Sequence, residues 1–220
     1  MREIDGNLVA MARKKPIRSE GEFLALVAPD ARTMVTEFSP RYPVQREDTA
    51  YGPNGYFVEP SPGAPNKGAG VLGFVQDTAF SVDRGFYEQP ISVAITSDTV
   101  GARIYYTTDG TEPSPSNGIL YNGPVSVITT TVLRAAAFKD GFEPTNVDTH
   151  TYLFLADILQ QPERISGYPD TWAGEPAYYR MDPGIVNHPL YGPEMRPALQ
   201  ALPSLSIAID PRQMFGPSGI

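Results

Sequence analysis

In the stretch IYYTTDGTEPSPSNGILY, residues 104–121, Asp109 and Glu112 stand close to Tyr105, Tyr106 and Tyr121. Aromatic faces stack on sugar rings and carboxylates accept from sugar hydroxyls, so this set is a candidate glycan contact. The same residues have a plainer use. Asp109-Gly110 is a turn dipeptide, because glycine takes positive φ without steric cost, and tyrosines suit the half-buried face of a sheet. The plainer use takes precedence, and glycan contact stands as the alternative.

No other residues complete a catalytic constellation. Asp170, Glu175, Asp182 and Asp210 are able to do acid–base work, but their spacing does not place two of them across a glycosidic bond. Carboxylates in proline-rich loops cap turns or sit in solvent. His150 and His188 are the only imidazoles, too few for a zinc site in a chain without cysteine. Neither a zinc-protease helix motif nor a nucleophile elbow occurs, and there is no phosphate-binding glycine loop and no EF-hand-type calcium loop. The expectation is therefore no catalytic residue, no cofactor and no metal. Trp172, in TWAGEP, is expected to bury against the end of a sandwich.

The elements that must carry these residues are short strands. Hydrophobic content of 41% and charged content of 19% fit an ordered chain, and 23 prolines and 20 glycines spread along it call for many turns. Amphipathic helices of three turns are scarce, so the class is all-β. The net charge of −8 opposes a nucleic-acid partner, which needs a concentrated basic face. The basic run Arg13, Lys14, Lys15 and Arg18 reads as a solvated loop or strand edge. No apolar run reaches the about 18 residues that span a membrane. The N-terminal MREIDGNLVAMARKKP lacks the apolar core of a secretory signal, so an exported chain would take its signal from outside this sequence.

Taken in order, residues 22–38 alternate as a β-hairpin. Phe23, Ala25 and Val27 share one face, Leu24 and Leu26 the other, Met34, Thr36 and Phe38 line the second strand, and Pro29-Asp30 makes the turn. Glu59–Gly70, EPSPGAPNKGAG, has linker composition, with a hinge in GAPNKGAG. From Phe74 onward, Ile91–Thr96, Arg103–Thr108, Pro124–Ile128, Thr131–Lys139 and Asn146–Phe154 read as strands. Asp109-Gly110, Asn117-Gly118, Asn122-Gly123 and Asp140-Gly141 are the turns. His150 falls on the last of these strands and His188 in a turn. After Tyr152 the pattern becomes irregular, with one short helix at about Gly192–Ala201 and a strand at Ser204–Asp210.

Three resemblances follow from the residues. The run from Phe80 to Asn146, with IYYTTDGTEPS, LYNGPV and LRAAAFKDGF, resembles the C-terminal Ig-like domain of chitobiases and β-hexosaminidases. That resemblance implies a fibronectin-type β-sandwich that accompanies catalytic or adhesive modules and is not itself catalytic. GEFLALVAPD, YPVQREDTAYG and YFVEPSPGAPN resemble the C-terminal part of a bacterial lamin-tail domain. YPDTWAG, YYRMDPGIVNHP and ALPSLSIAIDPRQMFG look like the opening of CotH-type kinase-like proteins, whose core would lie beyond Ile220.

The domains expected are 1–66 (lamin-tail-like), 67–73 (linker), 74–155 (an Ig/fibronectin-III-like β-sandwich) and 156–220 (connector and start of a CotH-type domain). The function expected is a non-catalytic spacer in a modular bacterial protein at the cell surface or outside the cell. Its partners would be neighbouring domains and, in the alternative, a cell-surface glycan contacted through Tyr105, Tyr106, Asp109, Glu112 and Tyr121. A further alternative makes the chain the front of a kinase-like enzyme.

Overall fold

The computed structural model describes Arg2–Ile4, Asn7–Val9 and residues 18–217. Of the basic run, Arg13, Lys14 and Lys15 lie outside the described residues. The chain divides into two compact units, Met1–Gly73 and Phe74–Ile220.

Among the described residues, the first unit has three antiparallel pairs: β1 (Arg2–Ile4) with β2 (Asn7–Val9), β3 (Leu24–Val27) with β4 (Met34–Phe38), and β5 (Ala50–Gly52) with β6 (Gly55–Phe57). The expected hairpin is present as β3–β4. Its turn is held by Asp30, whose Oδ1 accepts from the amides of Arg32 and Thr33 at 2.8 Å. These bonds to the ionised form keep the Asp30 carboxyl below the usual carboxylate range, the Thr33 hydroxyl contributing most. The hairpin buries neither face deeply, with Phe23 at 49% and Val35 at 60% exposure. Among the described residues, the buried side chains of this unit are Tyr42 and Phe57, and the Tyr42 hydroxyl donates to the carbonyl of Arg18 at 2.6 Å. The end of the linker is fastened rather than free. Val71 and Tyr56 exchange two backbone bonds, at 2.9 and 2.8 Å. A Cβ on Gly55 would stand 2.3 Å from the Val71 carbonyl oxygen, which together with its φ of +107° explains why glycine occupies the turn.

The second unit holds the sandwich. Its strands are β7 (Thr78–Phe80), β8 (Gly85–Tyr87), β9 (Ile91–Val93), β10 (Ile95–Ser97), β11 (Arg103–Thr107), β12 (Ile119–Leu120), β13 (Val125–Val127), β14 (Thr131–Phe138) and β15 (Asp148–Phe154). One sheet has the order β12-β11-β14-β15-β8, and the pairs β13-β9 and β10-β7 supply the rest. All joins in the five-stranded sheet are antiparallel except β15 with β8. The fold is all-β and Ig-like.

Alternation puts Leu133, Ala135 and Ala137 of β14 inward with Ile104, Tyr152 and Phe154, against Val93, Ile95, Val125 and Val127. Leu133, Val93 and Tyr152 are fully buried. The expected strand Ile91–Thr96 is broken at Ala94. Its first half pairs with β13 and its second with β7, so the chain changes partner there, and Ser81 takes up both Ala94 backbone groups.

The segment after β15 is packed with the sandwich in the same unit. It contains α1 (Leu155–Leu159), the hairpin β16 (Thr171–Trp172) and β17 (Glu175–Pro176), α2 (Pro183–Val186), a 3₁₀ turn Gly192–Glu194 leading into α3 (Met195–Ala201), and α4 (Pro211–Phe215). The helix expected over Gly192–Ala201 is there. The strand expected at Ser204–Asp210 is not. That stretch is extended but lies over the outward face of the five-stranded sheet, where Ser206 Oγ meets Thr151 Oγ1 at 2.6 Å. A sheet face offers side chains and no free backbone groups, so no ladder forms.

Candidate functional site

The five candidate residues sit on β11 and on the loops that flank β12, and the sheet divides them. Tyr106 and Tyr121 turn inward, edge-on to one another with ring centres 6.5 Å apart, and both pack against the core. The Tyr121 hydroxyl accepts from the Ile95 amide at 3.1 Å. Tyr105 lies on the opposite face, edge-on to Phe138 at 5.8 Å. The three rings therefore do not share one platform.

The two carboxylates belong to the loop that follows β11. Asp109 Oδ1 accepts from the Thr111 hydroxyl at 2.6 Å and from its amide at 3.0 Å. The Thr111 hydroxyl, foremost, holds the Asp109 carboxyl below its ordinary value, against a raising effect of burial and of Asp210. Gly110 adopts φ +82°, and its carbonyl accepts from Arg134 Nη1 at 2.9 Å. Asn117 Nδ2 donates to the Glu112 carbonyl at 2.8 Å, and the Thr107 hydroxyl donates to the Thr111 carbonyl at 2.6 Å. The Glu112 side chain itself is exposed. The loop is a self-bonded turn in which Asp109 serves the backbone.

The other residues singled out, Glu175 aside, also have structural partners. His150 lies on β15, stacks on Phe80 at 4.4 Å and turns Nδ1 toward the Val82 carbonyl at 3.2 Å. His188 Nδ1 accepts from the Leu190 amide at 3.1 Å, and the ring stacks on Tyr191 at 4.5 Å. Asp182 caps α2 by accepting from the Gly184 amide at 2.7 Å. Asp170 faces Arg164 Nε at 3.7 Å, Glu175 is exposed on β17, and the Asp210 carbonyl accepts from the Gln213 amide. Among the described residues, no three His, Asp or Glu gather where they would hold a metal.

Trp172 departs from expectation. It is 48% exposed and stands edge-on to Phe215 at 5.3 Å, not against the sandwich end. The two-residue turn Ala173-Gly174, with φ of +50° and +89°, folds it back onto its own segment. Tyr168 touches the same Phe215 ring at 5.3 Å and Tyr179 at 5.6 Å. Arg164 Nη1 clamps the hairpin base by donating to the carbonyls of Asp170 and Ala177, both at 2.7 Å. No spacing in the sequence announces this cluster, because its members come together only through the hairpin and α4.

Residues 82–149 match the family described as the chitobiase/beta-hexosaminidase C-terminal domain. The matched stretch runs from the loop before β8 to the second residue of β15, inside the sandwich. That family is an accessory, non-catalytic domain. No curated protein matches the chain, and no solved structure matches it. Among the described residues, no helix is long and apolar enough to cross a membrane.

Proposed function

We propose that the chain is a non-catalytic structural module, a spacer that holds neighbouring domains apart in a modular bacterial protein outside the cell or on its surface. One observation carries the reading. β15 passes into α1 with no intervening loop, Leu155 is fully buried at the junction, and Asp157 ties α1 to the turn before β14. A load entering the sandwich thus passes to the C-terminal segment through a continuous, hydrogen-bonded path. The accessory character of the matched family supports the same reading, and domains of this type occur in secreted bacterial glycosidases. The lamin-tail and CotH-type resemblances name the kinds of neighbour such a spacer would separate.

Limited proteolysis with mass spectrometry tests the coupling. A resistant body that begins near residue 74 and retains residues 156–217 is expected; release of that segment from an intact sandwich would refute a rigid spacer. A carbohydrate-binding role at Tyr105, Tyr106, Asp109, Glu112 and Tyr121 predicts instead a saturable change in tyrosine fluorescence with soluble chitin oligosaccharides. The inward packing of Tyr106 and Tyr121 predicts none.

A further inference from the structure

The outward face of the five-stranded sheet carries a groove of about 1000 Å³. Its floor includes Phe86 of β8 and Leu153 of β15, which are register partners in the parallel pair, with Thr149 and Thr151 beside them. Arg84 and Tyr168 line it as well, and residues 204–208 form its remaining wall. That wall, SLSIA, has the period-2 pattern of a strand, and Pro203 and Pro211 bound the extended stretch to which it belongs. Among the described residues, no backbone hydrogen bond joins Ser204–Ile209 to any other segment. Leu205 is 87% exposed and Ile207 68%. Extended backbone with open N–H and C=O groups is a template for another strand.

We propose that this groove binds an extended peptide segment, which adds as a strand to Ser204–Ile209 and lays alternate side chains on Phe86 and Leu153. Main-chain bonds supply affinity in such an arrangement, and the pockets under alternate residues supply selectivity. Six residues of strand reach about 20 Å. The charge on the wall narrows the occupant. Arg84 is the only charged residue lining the groove, and no carboxylate pairs with it among the described residues. The fitting peptide therefore has apolar residues at alternate positions and an acidic residue at one end. A second copy of this chain fits less well: the acid that ends its own stretch, Asp210, is held at the start of α4, where its carbonyl accepts from the Gln213 and Met214 amides, and the net charge of −8 sets two copies against each other. The inference stands on the groove alone and does not rest on the spacer reading.

The test is amide hydrogen exchange on the full chain with the synthetic peptide Glu-Val-Thr-Val-Thr-Val-Thr, compared with its counterpart N-methylated at alternate residues. In the free chain the amides of residues 205–209 should exchange rapidly, and at saturating peptide they should slow by at least about tenfold. The N-methylated peptide should give no protection. Arg84→Gln should weaken peptide binding by about threefold or more while leaving the thermal midpoint unchanged. Three outcomes overturn the proposal: no saturable protection up to millimolar peptide, equal protection by both peptides, or slow exchange in the dilute chain alone. Protection that grows with the chain's own concentration, without peptide, assigns the edge to a second copy and overturns it too.

Discussion

The carboxylate of Asp157 accepts from the hydroxyl of Thr129 at 2.6 Å, tying the helix that follows the sandwich to the turn between β13 and β14. The Thr130 amide donates to the same oxygen at 2.7 Å, and Thr130 Oγ1 accepts from the amide of Phe154 at 2.9 Å. The exit of the sandwich is thereby closed by a small network rather than by apolar packing alone.

That network is sensitive to acid. The Thr129 bond, with that of Thr130, holds the Asp157 carboxyl below its ordinary value. A carboxyl lowered by folding contributes stability above its unfolded value of about 4, and that contribution is lost as pH falls through the lowered folded value. Asp157→Asn should lower stability at pH 7 by about 1–2 kcal/mol in chemical denaturation, and the gap to wild type should close in acid. A gap that does not change with pH would mean that the charge plays no part.

Tyr152 gives the opposite dependence. It is fully buried, its hydroxyl donates to the Val82 carbonyl at 2.9 Å, and burial, foremost, pushes its pKa up to about 12. A raised acid contributes stability below its unfolded value of about 10, lost as pH rises toward the folded value. Tyr152→Phe should cost about 1 kcal/mol at pH 7 and reduce the loss of stability between pH 10 and 12. The difference in absorbance titration between the two chains should show one tyrosine ionising last.

Arg164 is the clamp of the β16–β17 hairpin. Removing both of its carbonyl bonds frees the strand ends, so Arg164→Ala should open the hairpin locally and raise chymotryptic cleavage after Trp172 several-fold. Cleavage at the wild-type rate would show that the ring contacts with Phe215 suffice.

In the first unit, Gly55→Ala should detach residue 71 from β6. The added Cβ meets the Val71 carbonyl oxygen and the backbone sits at φ +107°, a combination that costs about 1–3 kcal/mol. Faster exchange of the Tyr56 and Val71 amides is the expected readout.

The sandwich was legible because its signals are local. Alternation in Arg103–Thr108, Thr131–Lys139 and Asn146–Phe154 predicts strands that fold as β11, β14 and β15, and Asp109-Gly110 turns as its dipeptide requires. Ile91–Thr96 misleads because alternation records which way side chains point and not which strand lies alongside; the change of partner at Ala94 leaves the pattern intact. Ser204–Asp210 misleads for the same reason. Its alternation is real, but a strand also needs an edge to pair with, and here it meets a face.

The sequence by itself therefore determined the class, the turns and the inward set of β14 and β15, since each depends on residues near one another along the chain. Only the tertiary structure decided the rest. It split the tyrosines of residues 105–121 between two faces, gathered Tyr168, Trp172 and Phe215 around one hairpin, and laid the stretch 204–208, which forms no strand, beside Phe86 and Leu153. Those outcomes depend on which distant segments share a face, and side-chain periodicity carries no information about that.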